Sequence, residues 1–394
     1  MEWLGKHWRG VVSSVIIAIL ATITLSLQLT SLVPGQNRFE TATLTELQHF
    51  PSPLHRAVNA PYMVTAFAVG KIINNPLHGA RITSVVFGLL ATACFFYLLK
   101  LWFSTKLATV GSLLFITSSW LLHISHQAAP FILLVFAPLL VLLPLAWYLR
   151  TKKYKNLAFY LFAASLGFAA YVPFMPWIIA VLLVVVLVKE KHHLQKLSYW
   201  TVVISAVIYF AVLAPLFISL AIHPGQAREL VGLPAHVPSI SMYFSQFYHT
   251  PLMLLFKSQP LSEIHLGSLP MLDIFSSAMF ALGLYYYAVR LPKRRSVIIF
   301  ACMLILFLII PLSDNYQLAI AALLPFIFLC IMGGVVELLN QWFSYFPRNP
   351  WARNVGVALV VAAIGFSSFY HLQRYFIAWP NAPATKSVYV VKSK

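Results

Sequence analysis

The chain has 394 residues, of which 60% are hydrophobic and only 9% charged, with a mean hydropathy of +0.83. That leaves too little polar surface to cover a water-soluble globule, so the solvent for most of the fold is a bilayer. The formal charge of +18, from 27 Lys and Arg against 9 Asp and Glu, argues against nucleic acid as a partner, because the basic residues fall in short runs between apolar segments, as in the positive-inside pattern.

In chain order, runs apolar enough to cross about 30 Å of hydrocarbon occur near 11–33, 79–101, 107–124, 130–149, 157–173, 174–188, 198–221, 271–289, 296–312, 316–340 and 354–372. The expected fold class is therefore all-α, a polytopic integral membrane protein with about 11 transmembrane helices. Run 11–33 is too long for a signal-peptide core and no small-residue cleavage site follows it, so it reads as an uncleaved signal anchor. The moderately apolar segment 57–73 has Arg56, Asn59 and Lys71 at or inside its ends. If it does not cross, the basic loops Lys100–Lys106, Arg150–Lys155, Lys189–Lys196, Arg290–Arg295 and Arg348–Arg353 all share a side with Lys6 and Arg9. It is therefore read as an interfacial helix, with the N-terminus cytoplasmic and the C-terminus outside.

This topology predicts a single transmembrane domain over 1–372, with outer loops 34–78 and 222–270, and a short outer tail over 373–394. The turns His123–Pro130 and Ser313–Asn315 also fall outside. Long loops in a compact fold are usually functional, which points to the first and third outer segments. The expected location is the plasma membrane, and the compact loops look bacterial. Cys94, Cys302 and Cys330 stand alone in apolar runs, so neither a disulfide framework nor a thiolate metal site is expected. His192-His193 has only Glu190 near it and reads as solvated.

With carboxylates so scarce, Glu40 and Glu46 in the first outer loop are candidates for a general base or an ion ligand. The loop predicts a short amphipathic helix from about Thr41 to His49, stopped by Pro51 and Pro53, then a second helix from about Leu54. Glu40 then sits near a helix N-terminus, where the dipole favours its charged form. The alternative is that both glutamates are solvated charges beside Arg38 and Arg56. Asp314 reads equally as a helix N-cap or a site residue.

Several motifs carry a resemblance. Phe39-Glu40-Thr41-Ala42 occupies an acidic-loop position, Ser52-Pro53-Leu54 precedes the interfacial helix, and Ala80-Arg81-Ile82-Thr83-Ser84-Val85-Val86-Phe87-Gly88 opens the next span. Ser118–Phe131 forms a second outer turn ending in Ser125, His126, Gln127, Ala128, Ala129 and Pro130. Tyr243–Asp273 carries an aromatic stretch, a polar turn, a His and a Pro-Leu step, in that order, before the next span. In this order the chain resembles the GT-C superfamily of polytopic glycosyltransferases, in particular the protein O-mannosyltransferase and aminoarabinose-transferase branch and its bacterial relatives. It departs from that pattern at Phe39, where the acidic motif usually begins with Asp, and at His126, Gln127 and Ala129, where Arg, Glu and Arg are usual.

The resemblance implies a sugar donor on a polyprenyl phosphate, inverting transfer to an acceptor protein, lipid or glycan on the outer face, and no cofactor beyond that donor substrate. Glu40 is then the expected catalytic base. Arg56, Arg81, Lys257 and His265 are the expected phosphate-binding cations, and His126, Gln127 and Glu46 are expected to line the substrate pocket. For each cation the alternative is an interfacial anchor that snorkels to headgroups. Two other readings remain open. One is a catalytically degenerate protein of the same fold that binds lipid-linked sugar or scaffolds envelope assembly. The other is a transporter or flippase, disfavoured because the span interiors hold few ionisable residues.

Overall fold

The computed structural model describes residues 2–48, 56–189, 197–234, 238–259, 261–291 and 293–389, with backbone only for 2–7 and 9. The described residues form helices and no strands, as a bilayer requires of a chain that must satisfy its own backbone hydrogen bonds. Ser52-Pro53-Leu54, the stop signals Pro51 and Pro53, and His192-His193 with Glu190 lie outside the described residues.

The first half comprises α1 (Glu2–Ser26), α2 (Arg38–Gln48), α3 (Ala60–Ile73), α4 (Pro76–Trp102), α5 (Thr105–Thr117), α6 (Ser119–His126), α7 (Ile132–Arg150), α8 (Lys155–Ala169) and α9 (Met175–Lys189). The second half comprises α10 (Tyr199–Ile222), α11 (Gln226–Leu230), α12 (Ile240–Leu255), α13 (Ile274–Ala288) and α14 (Arg294–Ile309). It continues with α15 (Tyr316–Ala319), α16 (Leu324–Tyr345), α17 (Pro350–Gln373), α18 (Trp379–Asn381) and α19 (Pro383–Val388). Each of the eleven apolar runs holds helix in the structure, although run 11–33 leaves it after Ser26 and run 271–289 enters it only at Ile274. Six helical runs are long and apolar enough to cross a membrane, and the bent pair α5 and α6 makes a seventh if it counts as one span. α8 and α9 have 15 residues each, about 22 Å at 1.5 Å per residue, which is short of a full crossing.

Two details differ from the sequence reading for local reasons. Run 107–124 is broken by 59° between Thr117 and Ser119. Ser118 causes the break: its hydroxyl donates to the Phe115 carbonyl at 2.9 Å and accepts the Leu121 N–H, ending one helix and capping the next. The tail after 372 continues the last span through a π-helical stretch, Arg374–Ala378, into α18 and α19.

The tightest packing joins α13 to α16. A Cβ on Gly283 would lie 1.8 Å from the Cys330 carbonyl oxygen, and one on Gly334 would lie 2.0 Å from that of Met279. Only glycine permits this approach, which brings two backbones into contact where lipid supplies no hydrophobic drive for association. α3 has 14 residues, about 21 Å, too short to span. It folds back on α4 through Asn74 and Asn75, whose side chain caps α4 by accepting the His78 N–H.

The end of the bundle that carries α2 is called the upper end below. Six of the chain's 9 acidic residues lie there: Glu40, Glu46, Glu229, Glu263, Asp273 and Asp314. The opposite, lower end carries the loops after α4, α7 and α13 and the paired Glu337.

Candidate active site

Helix α2 divides the upper end into two sites. Asn37 starts it, since its side chain accepts the Glu40 N–H at 2.9 Å, and this places the start three residues ahead of the expected Thr41. At about 100° per residue, positions 40, 44 and 47 then share one face, while 39, 43 and 46 share another. Glu40, Leu44 and Leu47 are buried away from an open cavity, whereas Phe39, Glu46 and the largely buried Thr43 line it.

The inner site is a sealed ion pair. Glu40 is 1% exposed and Arg81, from the first turns of α4, is 5% exposed. Arg81 Nε meets Glu40 Oε1 at 2.9 Å and Nη2 meets Oε2 at 3.0 Å, a two-point fork. Oε1 also accepts the Ala128 N–H at 3.0 Å, and Oε2 accepts the Asn37 N–H at 3.4 Å. These four donors fill the carboxylate's acceptor sites. Arg81 Nη2 donates in addition to the Gly35 carbonyl at 2.9 Å. The void beside the pair, lined also by His126, Gln127, Tyr375 and Tyr389, measures only 20 Å³, room for about one water. Glu40 and Arg81, the expected base and phosphate cation, are thus bound to each other, and neither lines the open cavity.

The tail locks this inner site. The Asn37 amide donates to the Tyr389 hydroxyl at 3.0 Å, and that hydroxyl donates to the Glu263 carbonyl at 3.3 Å. His126 Nε2 donates to the Leu25 carbonyl at 2.8 Å, which fixes the tautomer and leaves Nδ1 to accept from the Tyr375 hydroxyl at 2.7 Å. Gln127 donates to the Glu263 carbonyl at 3.1 Å. His126 and Gln127 therefore bind this interior, and only the turn that follows them, at Pro130 and Phe131, reaches the open cavity.

The open cavity has a volume of 810 Å³ and draws a wall from each of the four segments expected on the outer face. The first loop gives Glu46 and Arg56, the second turn gives Pro130, the long loop gives Arg228 and Glu229, and the last turn gives Asp314. Phe39, Met63, Phe131 and Leu134 supply apolar surface, with Phe39 and Phe131 packed edge to face at 5.4 Å. Gly232 has φ +75°, and a Cβ there would lie 2.2 Å from the Phe174 ring, so this corner of the wall requires glycine.

Arg56 bridges two carboxylates, contacting Glu46 closely and Glu229 at 3.1 Å. Burial raises the Glu46 carboxyl above its ordinary value, against the pull of Arg56. Asp314 and Arg228 also line the cavity, both are exposed, and neither is in a salt bridge within the described residues. Asp314 does not cap α15, where the N-cap is Asn315 with no side-chain bond. Lys257 is exposed and does not line the cavity, and His265 is buried against Trp120 with ring centroids 5.2 Å apart. Burial, then the nearby Arg374, pushes His265 down to about 3. Among the described residues no group of three or more His, Cys, Asp or Glu is placed to hold a metal ion. Arg228 and Glu229 escaped the sequence reading, although their place in the long loop and the scarcity of acids were available signals.

No family model matches the sequence, and no curated protein matches it. Solved structures do. ArnT from Cupriavidus metallidurans bound to undecaprenyl phosphate superposes with a TM-score of 0.59 at 13% identity, over 95% of this chain and 76% of that one. The Archaeoglobus fulgidus oligosaccharyltransferase tethered with an acceptor peptide gives 0.55 at 15% identity, over 95% of this chain and 56% of that one. The same organism's AglB in complex with an inhibitory peptide and a dolichol-phosphate gives 0.55 at 14% identity. The chain thus spans about three quarters of the first and just over half of the oligosaccharyltransferase. At such identities the likeness is one of architecture, and that architecture, reached here by a multi-pass helical membrane protein, is the GT-C fold.

Proposed function

We propose that this protein is a membrane glycosyltransferase that moves a sugar from a polyprenyl-phosphate donor to an acceptor hydroxyl within the 810 Å³ upper cavity, and that this cavity faces outward from the plasma membrane. The observation that carries the reading is the composition of that cavity. Exposed guanidinium and carboxylate groups stand over aromatic and aliphatic surface, on a fold shared with proteins solved with undecaprenyl phosphate and dolichol-phosphate. In the reaction the acceptor oxygen forms a bond to the anomeric carbon as the bond from that carbon to the phosphate oxygen breaks. The electron pair leaves with the lipid phosphate, and a carboxylate takes the acceptor's proton. In this reading Arg228 and Arg56, which line the cavity, stabilise the leaving phosphate. Asp314 then takes the proton, since Glu46 and Glu229 are both paired with Arg56 and Glu40 has no free acceptor site.

The test is transfer from polyprenyl-phosphate sugars by the purified protein in proteoliposomes. Asp314→Asn is expected to lower the rate by about 10²- to 10⁴-fold with donor binding retained, and an unchanged rate removes Asp314 from the base role. A second reading, a non-catalytic binder of lipid-linked sugar, is favoured by one observation. Position 39, which faces the cavity, carries a phenyl ring where the resembled family usually has an Asp. Donor binding without transfer for every donor and acceptor tried would select that reading.

A further inference from the structure

The lower end of the bundle contains a second recess, of 650 Å³, between the ends of α4, α7 and α13 and the start of α14. Five cations line it, Arg150, Arg290, Lys293, Arg294 and Arg295, and among the described residues no carboxylate does. Glu337 is not among the lining residues and pairs with Arg290 at 3.1 Å. Main-chain carbonyls fix three of the guanidiniums. Arg290 donates to Tyr286 at 2.9 Å, Arg295 donates to Trp102 at 2.7 Å, and Arg150 donates to Leu101. Each guanidinium carries five N–H donors, so these anchors set the direction of the group and leave other donors for an anion.

The recess also has depth. Leu142, Leu145 and Ala146 form its wall along α7, and Leu142 precedes Arg150 by 150 − 142 = 8 residues, about 12 Å along the helix. The rim is therefore cationic while the wall runs into the hydrocarbon zone. A soluble anion would use only the rim. An amphiphile with an anionic headgroup would satisfy the rim and cover the wall with its chain. The positive-inside pattern accounts for basic loops at this end, but not for their convergence on an apolar recess.

We propose that this recess binds an anionic phospholipid of the phosphatidylglycerol type, with its phosphate among the five cations and one acyl chain along α7. The site is separate from the upper cavity, so its test does not depend on the glycosyltransferase reading.

The experiment is native mass spectrometry of the full chain, delipidated in a maltoside detergent and titrated with phosphatidylglycerol, phosphatidylcholine or inorganic phosphate. Phosphatidylglycerol is expected to bind at least about tenfold more tightly than phosphatidylcholine, with inorganic phosphate unable to displace it. Lys293→Gln combined with Arg294→Gln should weaken binding by about 25-fold, near fivefold per charge removed. Ala146→Phe fills the recess, keeps every charge and should also weaken binding. If that variant is not monodisperse, Ala146→Leu serves instead, with a smaller loss in the same direction. Equal affinity for the two lipids, displacement by inorganic phosphate, or full binding by a folded variant at position 146 would each overturn the proposal.

Discussion

Two carboxylate and guanidinium clusters sit on two different faces of one short helix, and they do different work. Glu40 and Arg81 are sealed at 1% and 5% exposure and hold α2, α4 and the turn at Ala128 together. Glu46, Arg56 and Glu229 meet in the open cavity wall, at side-chain exposures of 34%, 46% and 44%. The same chemistry serves as a clamp where water is excluded and as a potential ligand surface where water remains. In the dry case, losing one partner strands a charge, whereas in the wet case solvent replaces it.

The largest expected effect lies in the sealed pair. Arg81→Ala should cost about 3–5 kcal/mol, measured by thermal unfolding in detergent, because it leaves the Glu40 carboxylate buried and unpaired. Glu40→Leu combined with Arg81→Met should recover much of that loss. A single variant as stable as the parent would break the comparison between the two faces.

A pH titration probes the same dry interior from the long-loop side. His265 is held neutral by burial and by Arg374, and its value falls from 6.5 unfolded to about 3 folded. The unfolded chain therefore binds the extra proton first. The stability tied to neutral His265 is complete above pH 6.5 and declines as pH falls from there towards about 3. His265→Phe should flatten the slope of stability against pH in that window, and an unaltered slope would remove His265 as its source.

Smaller changes sharpen the contrast. Tyr375→Phe leaves His126 Nδ1 without its donor and should cost about 1–3 kcal/mol, read from the unfolding midpoint. Glu46→Gln, in the half-exposed cluster, should change stability by only about 0–1 kcal/mol. A loss of 3 kcal/mol or more there would place the cavity wall in the structural class as well.

Much of the architecture was legible because hydrophobicity in a bilayer leaves the backbone little choice. Each apolar run folded mainly as helix, and the four segments assigned to one face by charge counting converge on one cavity. The break at Ser118 was not legible as a break, since a serine inside an apolar run gives the same composition whether it caps or continues a helix. The tail read as a short extension because nothing local in Tyr375 or Tyr389 announces partners 249 and 352 residues away.

The candidate site shows the same division. Composition and spacing singled out Glu40 and Glu46 and placed both in the first loop, but their roles depend on where α2 begins. Asn37 sets that start, and with it the helical phase that turns Glu40 inward and Glu46 outward. The sequence by itself determined the membrane class, the helices and the scarcity of acids, because these follow from local hydrophobicity and counting. Tertiary structure decided which acid is saturated and which stands open, because burial and hydrogen-bond partners are contributed by residues far apart along the chain.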